Sequence, residues 1–349
     1  MRPLRIDLGN QRWSPLFISP DSQRLFARSD YAYYGALKVC TLQVEEAPEV
    51  IEDGKCQIRD AALLMRERPS GQVGADAEQT VAVLLASGLV KLIDVKTYAV
   101  VDDNFLGVGD HANRLASSSD GNRIAIGYTS PPGNVQVTVF DLRTRTREQE
   151  LNGAKRWDYC SQILFSPDGK HVVAVSDDWL AVWDVGGKLV KQVDTRGVYG
   201  SSYWTVVAVT PDSTKLVWLE NSGKDTPDSV VRMQDLVSHK NEDVRRWEFP
   251  GSTQLRALDI SPDGRRVILG GRLQTRGPDE LCEWPLDAPD GLIKDHASLS
   301  MIAELQGVDF ARVAPNGRKI VAAGVTLRED KLTSNHFIAV WDYPRRYIL

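Results

Sequence analysis

The sequence predicts an all-β fold, a seven-bladed β-propeller of four-stranded antiparallel blades. Three observations lead there. A turn phrase recurs as Ser19-Pro20-Asp21, Ser166-Pro167-Asp168, Thr210-Pro211-Asp212 and Ser261-Pro262-Asp263, with looser copies at Ser119-Asp120-Gly121 and Ala314-Pro315-Asn316. Its turn residues are spaced by 48 (120 to 168), 44 (168 to 212), 51 (212 to 263) and 53 (263 to 316). The longer gap from 21 to 120 leaves room for one further copy. A period of this size marks repeated supersecondary units. An apolar run follows the turns, and a slot pairing an apolar or aromatic residue with a polar one ends the next run.

The clearest unit shows why each element forms. Gln162 to Phe165 leads into Ser166-Pro167-Asp168-Gly169, then His171 to Val175, Trp179 to Asp184, Gly186-Gly187, and Lys188 to Val193. That is four short apolar runs between turn residues, hence four strands, a to d, joined by tight turns. Proline presets φ, aspartate bonds its own backbone and glycine tolerates positive φ. Strand b is nearly all apolar in the other units too: Val81 to Ala86, Ile124 to Ile126, Leu216 to Leu219, Val267 to Leu269, Ile320 to Ala323. A strand apolar on both faces is covered on both faces, and neighbouring blades supply that cover.

Strand c ends in Val182-Trp183-Asp184 and Val340-Trp341-Asp342. Cys40-Thr41, Ile93-Asp94, Phe140-Asp141, Gln234-Asp235 and Trp284-Pro285 fill the same slots. Seven slots over 349 residues average about 50 residues per unit. Counting back from Asp94 puts the missing turn at Asp76, strand a at Ile58 to Met65, and an enlarged loop over Arg66 to Ala75. The blades run 13–53, 54–104, 105–151, 152–195, 196–250, 251–305 and 306–349, so residues 1–349 read as one array. Residues 3–9, with alternating Leu4-Arg5-Ile6-Asp7-Leu8, suit the outer strand d of the last blade and would close the ring. The tail Arg346 to Leu349 competes for that place.

Through Trp183-Asp184 and Trp341-Asp342 the chain resembles the WD-repeat β-propeller family, over about residues 13 to 349. The family's Gly-His pair before strand a is missing; only Asp110-His111 stands near that place. The resemblance implies an interaction scaffold of degenerate repeats that leans on apolar packing.

Bulk properties narrow the function. The net charge of −5 argues against a dedicated nucleic-acid binder. No apolar run approaches the roughly 20 residues of a membrane span, and Met1 to Leu8 has no apolar core of a secretory signal. Cysteines at 40, 56, 160 and 282 have neither metal nor redox spacing and read as reduced, buried thiols of a cytoplasmic protein. Histidines at 111, 171, 239, 296 and 336 lack metal-ligand spacing, and no nucleophile or phosphate-binding motif is present. No cofactor, metal or catalytic residue is expected. Arg143-Thr144-Arg145-Thr146-Arg147 looks basic but leads into an outer strand, where alternating arginine and threonine blunt edge pairing.

Loop length points to a face. In this architecture the d–a and b–c loops share one side. The b–c loops Asn221 to Ser229, Arg272 to Glu280 and Thr326 to His336 exceed what the clearest unit needs. Insertions on one face often mark the binding face. The adjoining d–a loops carry Arg156, Trp157, Tyr159, Arg196, Tyr199 and Tyr203, residue types enriched at hot spots. With Arg272, Arg276 and Arg328 these form the expected partner site. The aromatics could instead begin strand a. The expectation is a non-catalytic scaffold, monomeric alone, that binds one or more proteins, with a place as a subunit of a larger assembly left open. The alternatives are a propeller enzyme of lactonase or dehydrogenase type and a periplasmic propeller of the TolB kind.

Overall fold

In a computed structural model the described residues are 4–9, 13–29, 35–42, 49–53, 57–66, 78–129, 137–152, 159–176, 179–195, 206–221, 229–237, 245–249, 254–272, 279–292, 297–300, 306–327 and 334–343. The strand β1 (Leu4–Gly9) comes first. The first sheet is β2 (Trp13–Ile18), β3 (Arg24–Ser29), β4 (Gly35–Thr41) and β5 (Glu49–Asp53). The second is β6 (Ile58–Arg66), β7 (Glu78–Leu85), β8 (Leu89–Asp94) and β9 (Val100–Gly107). The third is β10 (Ala112–Ser117), β11 (Arg123–Tyr128), β12 (Val137–Asp141) and β13 (Thr146–Leu151). The fourth is β14 (Gln162–Phe165), β15 (His171–Val175), β16 (Trp179–Asp184) and β17 (Leu189–Asp194). The fifth is β18 (Val206–Val209), β19 (Lys215–Asn221), β20 (Ser229–Asp235) and β21 (Arg245–Phe249). The sixth is β22 (Gln254–Ile260), β23 (Arg266–Arg272), β24 (Asp279–Pro285) and β26 (Ala297–Ser300), with β25 (Gly291–Leu292) between the last two in sequence. The seventh is β27 (Gln306–Val313), β28 (Lys319–Leu327) and β29 (Ser334–Asp342), completed by β1. These are the blades of a seven-bladed β-propeller, without helix among the described residues.

Every strand-c slot read from the sequence ends its strand: Thr41, Asp94, Asp141, Asp184, Asp235, Pro285 and Asp342 are the last residues of β4, β8, β12, β16, β20, β24 and β29. β1 pairs antiparallel with β29, Leu4 opposite Val340 and Ile6 opposite Ile338, so the N-terminal strand supplies the last sheet's outer strand. Arg346 to Leu349, the competing segment, lies outside the described residues, as do Asp76 and most of the loop expected over 66 to 75. One boundary differs. β9 continues to Gly107, past the expected limit at 104, because Phe105 and Leu106 are buried and Leu106 pairs with Val90. One element is unforeseen: β25 lies parallel against β21, Trp247 opposite Gly291, and adds a fifth strand to that sheet.

The recurring turn has one physical design. The Ser166 hydroxyl donates to the Asp168 carboxylate at 2.5 Å and accepts the His171 N–H at 2.9 Å, while Lys170 N–H donates to the same carboxylate. Ser19/Asp21, Ser118/Asp120, Thr210/Asp212 and Ser261/Asp263 repeat the hydroxyl–carboxylate pair. The next residue takes positive φ, served by glycine at 121, 169, 264 and 317 and by Ser22 and Ser213 elsewhere. Burial pushes the Asp168 carboxyl up, but the Ser166 hydroxyl and Lys170 N–H outweigh it and hold it below the ordinary value. The turn aspartates are thus occupied by structure. Ser166→Ala removes both bonds and is expected to cost about 1–2 kcal/mol. Ser166→Thr, the residue used at 210, should stay near wild type. Thermal denaturation of both variants checks the pair.

Contacts divide the chain into two compact units. One comprises residues 51–194 with the short segment 31–36. In it Phe140, at the strand-c slot, packs with Leu84, Leu92, Phe105, Leu115 and Ile126 between the second and third sheets. Trp183 fills the same role between the third and fourth, against Ala125, Val139, Leu151 and Phe165. The other unit holds residues 1–30, 37–50 and 195–349. There Trp284 packs against a cluster containing Trp247, Leu258 and Leu269, and Trp341 against one containing Ile268, Val308 and Ala339. In the same unit Lys38 bonds the Leu8 carbonyl and lies 4.2 Å from the Trp13 ring centroid, tying β1 to the first sheet. The slot aromatics therefore sit between blades, as the sequence pattern implies.

Candidate functional site: an arginine-held tyrosine

Three of the expected partner-binding features can be placed against described residues. Tyr159 precedes β14 and is 39% exposed, one of four large hydrophobic side chains so open among the described residues. Arg272 ends β23, its backbone paired with Gln254 and Asp279. The long b–c loops are represented only by their ends. Arg156, Trp157, Arg196, Tyr199, Tyr203, Arg276 and Arg328 lie outside the described residues.

Tyr159 belongs to a polar seam in the unit of residues 51–194. Arg114, on β10 of the preceding blade, donates Nη2 to the Tyr159 hydroxyl at 2.7 Å. It donates Nε to the Ser161 carbonyl at 2.7 Å and Nη1 to the Asn113 carbonyl at 2.8 Å. Its guanidinium carbon lies 5.3 Å from the Tyr159 ring centroid. Beside it, Asn113 donates to the Cys160 carbonyl at 2.7 Å. On the far side, Asp60 of β6 accepts the Leu115 N–H at 2.9 Å, and Arg59 donates to the carbonyls of Asp110 and Ala112. Side chains of one inner strand thus bond the backbone of the next across three successive blades.

The electrostatics keep this seam charged and unreactive. Burial works most strongly against the Arg114 cation, but the Asp60 carboxylate together with Tyr159 and Cys160 outweighs it and raises the guanidinium above its ordinary value. Burial pushes the Cys160 thiol up to about 12 and does the same to Cys40. Neither is a nucleophile at neutral pH. Among the described residues no cluster of histidine, cysteine, aspartate and glutamate could hold a metal ion. The Arg143-to-Arg147 run is engaged locally: Arg143 lies near Asp141, Arg145 pairs with Asp102 at 3.0 Å and lies over Phe105, and Arg147 pairs with Glu150.

What the arrangement offers is a fixed, half-open aromatic ring. A tyrosine held at both ring face and hydroxyl has little rotamer freedom left to lose on binding. Sequence reasoning singled out Tyr159 but missed its support. The signal was present: Asp60 and Arg114 are charges inside strand-a runs, and Asp259 and Arg312 repeat them in the other unit.

No family model and no curated protein matches this sequence. Solved structures do share the fold. A chain of hydrazine synthase from Kuenenia stuttgartiensis aligns with a TM-score of 0.65 at 14% identity, covering 96% of each chain. A chain in the crystal structure of a mitotic checkpoint complex aligns with a TM-score of 0.65 at 13% identity, covering 99% of this chain and 96% of that one. The likeness is to a propeller fold that serves in settings as different as these two.

Proposed function

We propose that the chain is a degenerate WD-repeat propeller that acts as a non-catalytic scaffold and binds protein partners on the face of its d–a and b–c loops. One observation carries the reading: Tyr159 is an exposed aromatic on a d–a loop, held by a half-buried arginine. Its framework orders the polar groups of six blade-to-blade hydrogen bonds, more than a solvated loop residue requires. The repeated turn carboxylates are held in structural hydrogen bonds. The mitotic checkpoint chain, a propeller within a multi-protein assembly, supports the reading by analogy alone. Reduced, buried Cys40, Cys160 and Cys282 suit a reducing, cytoplasmic setting.

The test is quantitative affinity purification of the tagged native protein and of Tyr159→Ala and Tyr159→Phe. A buried aromatic anchor is worth about 2 kcal/mol, roughly a 30-fold change in affinity. Tyr159→Ala should deplete a defined set of co-purifying proteins at unchanged melting temperature, and Tyr159→Phe should retain most of them. Identical recovery from all three proteins would refute the proposed anchor.

A further inference from the structure

We propose that residues 286–292 form a removable strap over the outer edge of β21, and that releasing it lets two copies of this chain join through that edge. The strap ends in β25, the fifth strand of its sheet. Among the described residues only this sheet has a fifth strand. Strap and edge both lie within the unit that holds residues 195–349.

The strap is rooted firmly and held lightly beyond its root. Leu286 N–H donates to the Arg265 carbonyl at 2.8 Å, which fixes the start. Further on, Ala288 is buried, while Asp287, Pro289, Asp290 and Gly291 are exposed. The Ala288 carbonyl accepts the Trp247 indole N–H and Arg245 Nη1, each at 3.3 Å, and Arg245 reaches the Leu286 carbonyl at 3.5 Å. These bonds are long. The ladder itself has two positions, Trp247 opposite Gly291 and Glu248 opposite Leu292, and it is parallel, the weaker kind of pairing per residue. On its other side β21 pairs antiparallel with β20 through all five of its residues, Arg245 to Phe249. The edge is thus solidly built and its cover is not. A loop laid over a strand edge, with proline and acidic residues on its open side, keeps that strand from templating another.

What takes the strap's place follows from the strand's own sequence, Arg245-Arg246-Trp247-Glu248-Phe249. Laid antiparallel on a second copy about Trp247, the strand sets each Arg246 opposite a Glu248. Side chains alternate along a strand, so these two positions share one face. That face is the open one: the Arg246 and Glu248 side chains are 50% and 34% exposed and lie 2.9 Å apart, whereas Trp247 and Phe249 are buried on the other. Opposite charges facing across two strands attract, and like charges repel. The pattern is complementary to itself, which selects a second copy of the chain as the occupant. The two-fold operation makes the contact isologous, so it closes at two copies and does not run on into a fibre.

The experiment follows the assembly state of the purified full chain by sedimentation equilibrium, without any partner, so its result stands apart from the Tyr159 test. Wild type is expected to be monomeric. Gly291 has a φ of +134°, which a β-branched residue resists, so Gly291→Val should lift the strap and give a monomer–dimer equilibrium. Ala288→Lys should do the same by another route, burying a charge beside Arg245, and it leaves β21 and β25 unaltered. In either background Glu248→Arg sets arginine against arginine, and the dimer Kd should rise about tenfold or more. Adding Arg246→Glu reverses both charges and should restore the dimer. Circular dichroism and melting temperature establish that each variant is folded. Released variants that stay monomeric at all concentrations, loss of folding in both of them, a wild type that dimerises equally well, an open-ended oligomer, or a dimer indifferent to Glu248→Arg overturns the proposal.

Discussion

Trp183→Ala is expected to lower stability by about 4 kcal/mol. Trp183 is fully buried and closes the contact between the third and fourth sheets. Its indole N–H donates to the Asn152 carbonyl at 2.8 Å, bonding one blade to the end of the previous one. Truncation therefore removes apolar burial, leaves a cavity and breaks the indole bond to the Asn152 carbonyl, and these effects reinforce each other. Trp183→Phe separates them. It keeps most of the volume and loses the hydrogen bond, so about 1–2 kcal/mol is expected. The loss should fall on the denaturation transition that reports residues 51–194, followed by urea titration of both variants. A deficit below about 2 kcal/mol for the alanine variant would mean that the neighbouring strands collapse onto the vacated space.

The same residue shows why the architecture was legible. A Trp-Asp strand end, a Ser-Pro-Asp turn and an apolar run at a constant period are local signals, each with a local cause. Even the weak copies, Gln234-Asp235 and Trp284-Pro285, end their strands where the pattern puts them. Partial legibility begins where the cause is not local. β25 pairs with β21 across more than forty residues, through two backbone positions that carry no side-chain pattern. The candidate site lies in between. Tyr159 stood out as an exposed-type aromatic, but Arg114 becomes its support only because β10 and β14 are neighbours. Most of the expected partner residues lie outside the described residues.

Arg312→Met is expected to destabilise the unit that holds the sixth and seventh sheets by about 2–3 kcal/mol at neutral pH, and less in mild acid. Arg312 lies 3.7 Å from the Asp259 carboxylate and donates to the Leu258 carbonyl at 2.6 Å. Asp259 also accepts the Val313 N–H at 2.8 Å. Stranding a fully buried charge costs about 3–5 kcal/mol; here the side chains of Arg312 and Asp259 are 33% and 18% exposed, and solvent screening reduces the figure. Burial already raises the Asp259 carboxyl above its ordinary value, with Arg312 as the main opposing influence. Removing the arginine raises it further. A raised folded-state pKa means that the folded chain holds the proton more tightly than the unfolded one. Stability from this group is then present below the unfolded value of about 3.9 and is lost as pH rises through the folded value. The variant's deficit against wild type should therefore be small near pH 4 and complete near pH 7. The turn aspartates, whose depressed values act in the opposite sense as pH falls, cancel in this comparison. Asp259→Asn in the Arg312→Met background keeps an acceptor for the Val313 N–H and removes the stranded charge, so it should recover most of the loss. Urea denaturation of the single and double variants across that pH range decides the matter. A deficit independent of pH, or a double variant no more stable than the single one, would show that Arg312 acts through its packing on Phe310 rather than through its charge.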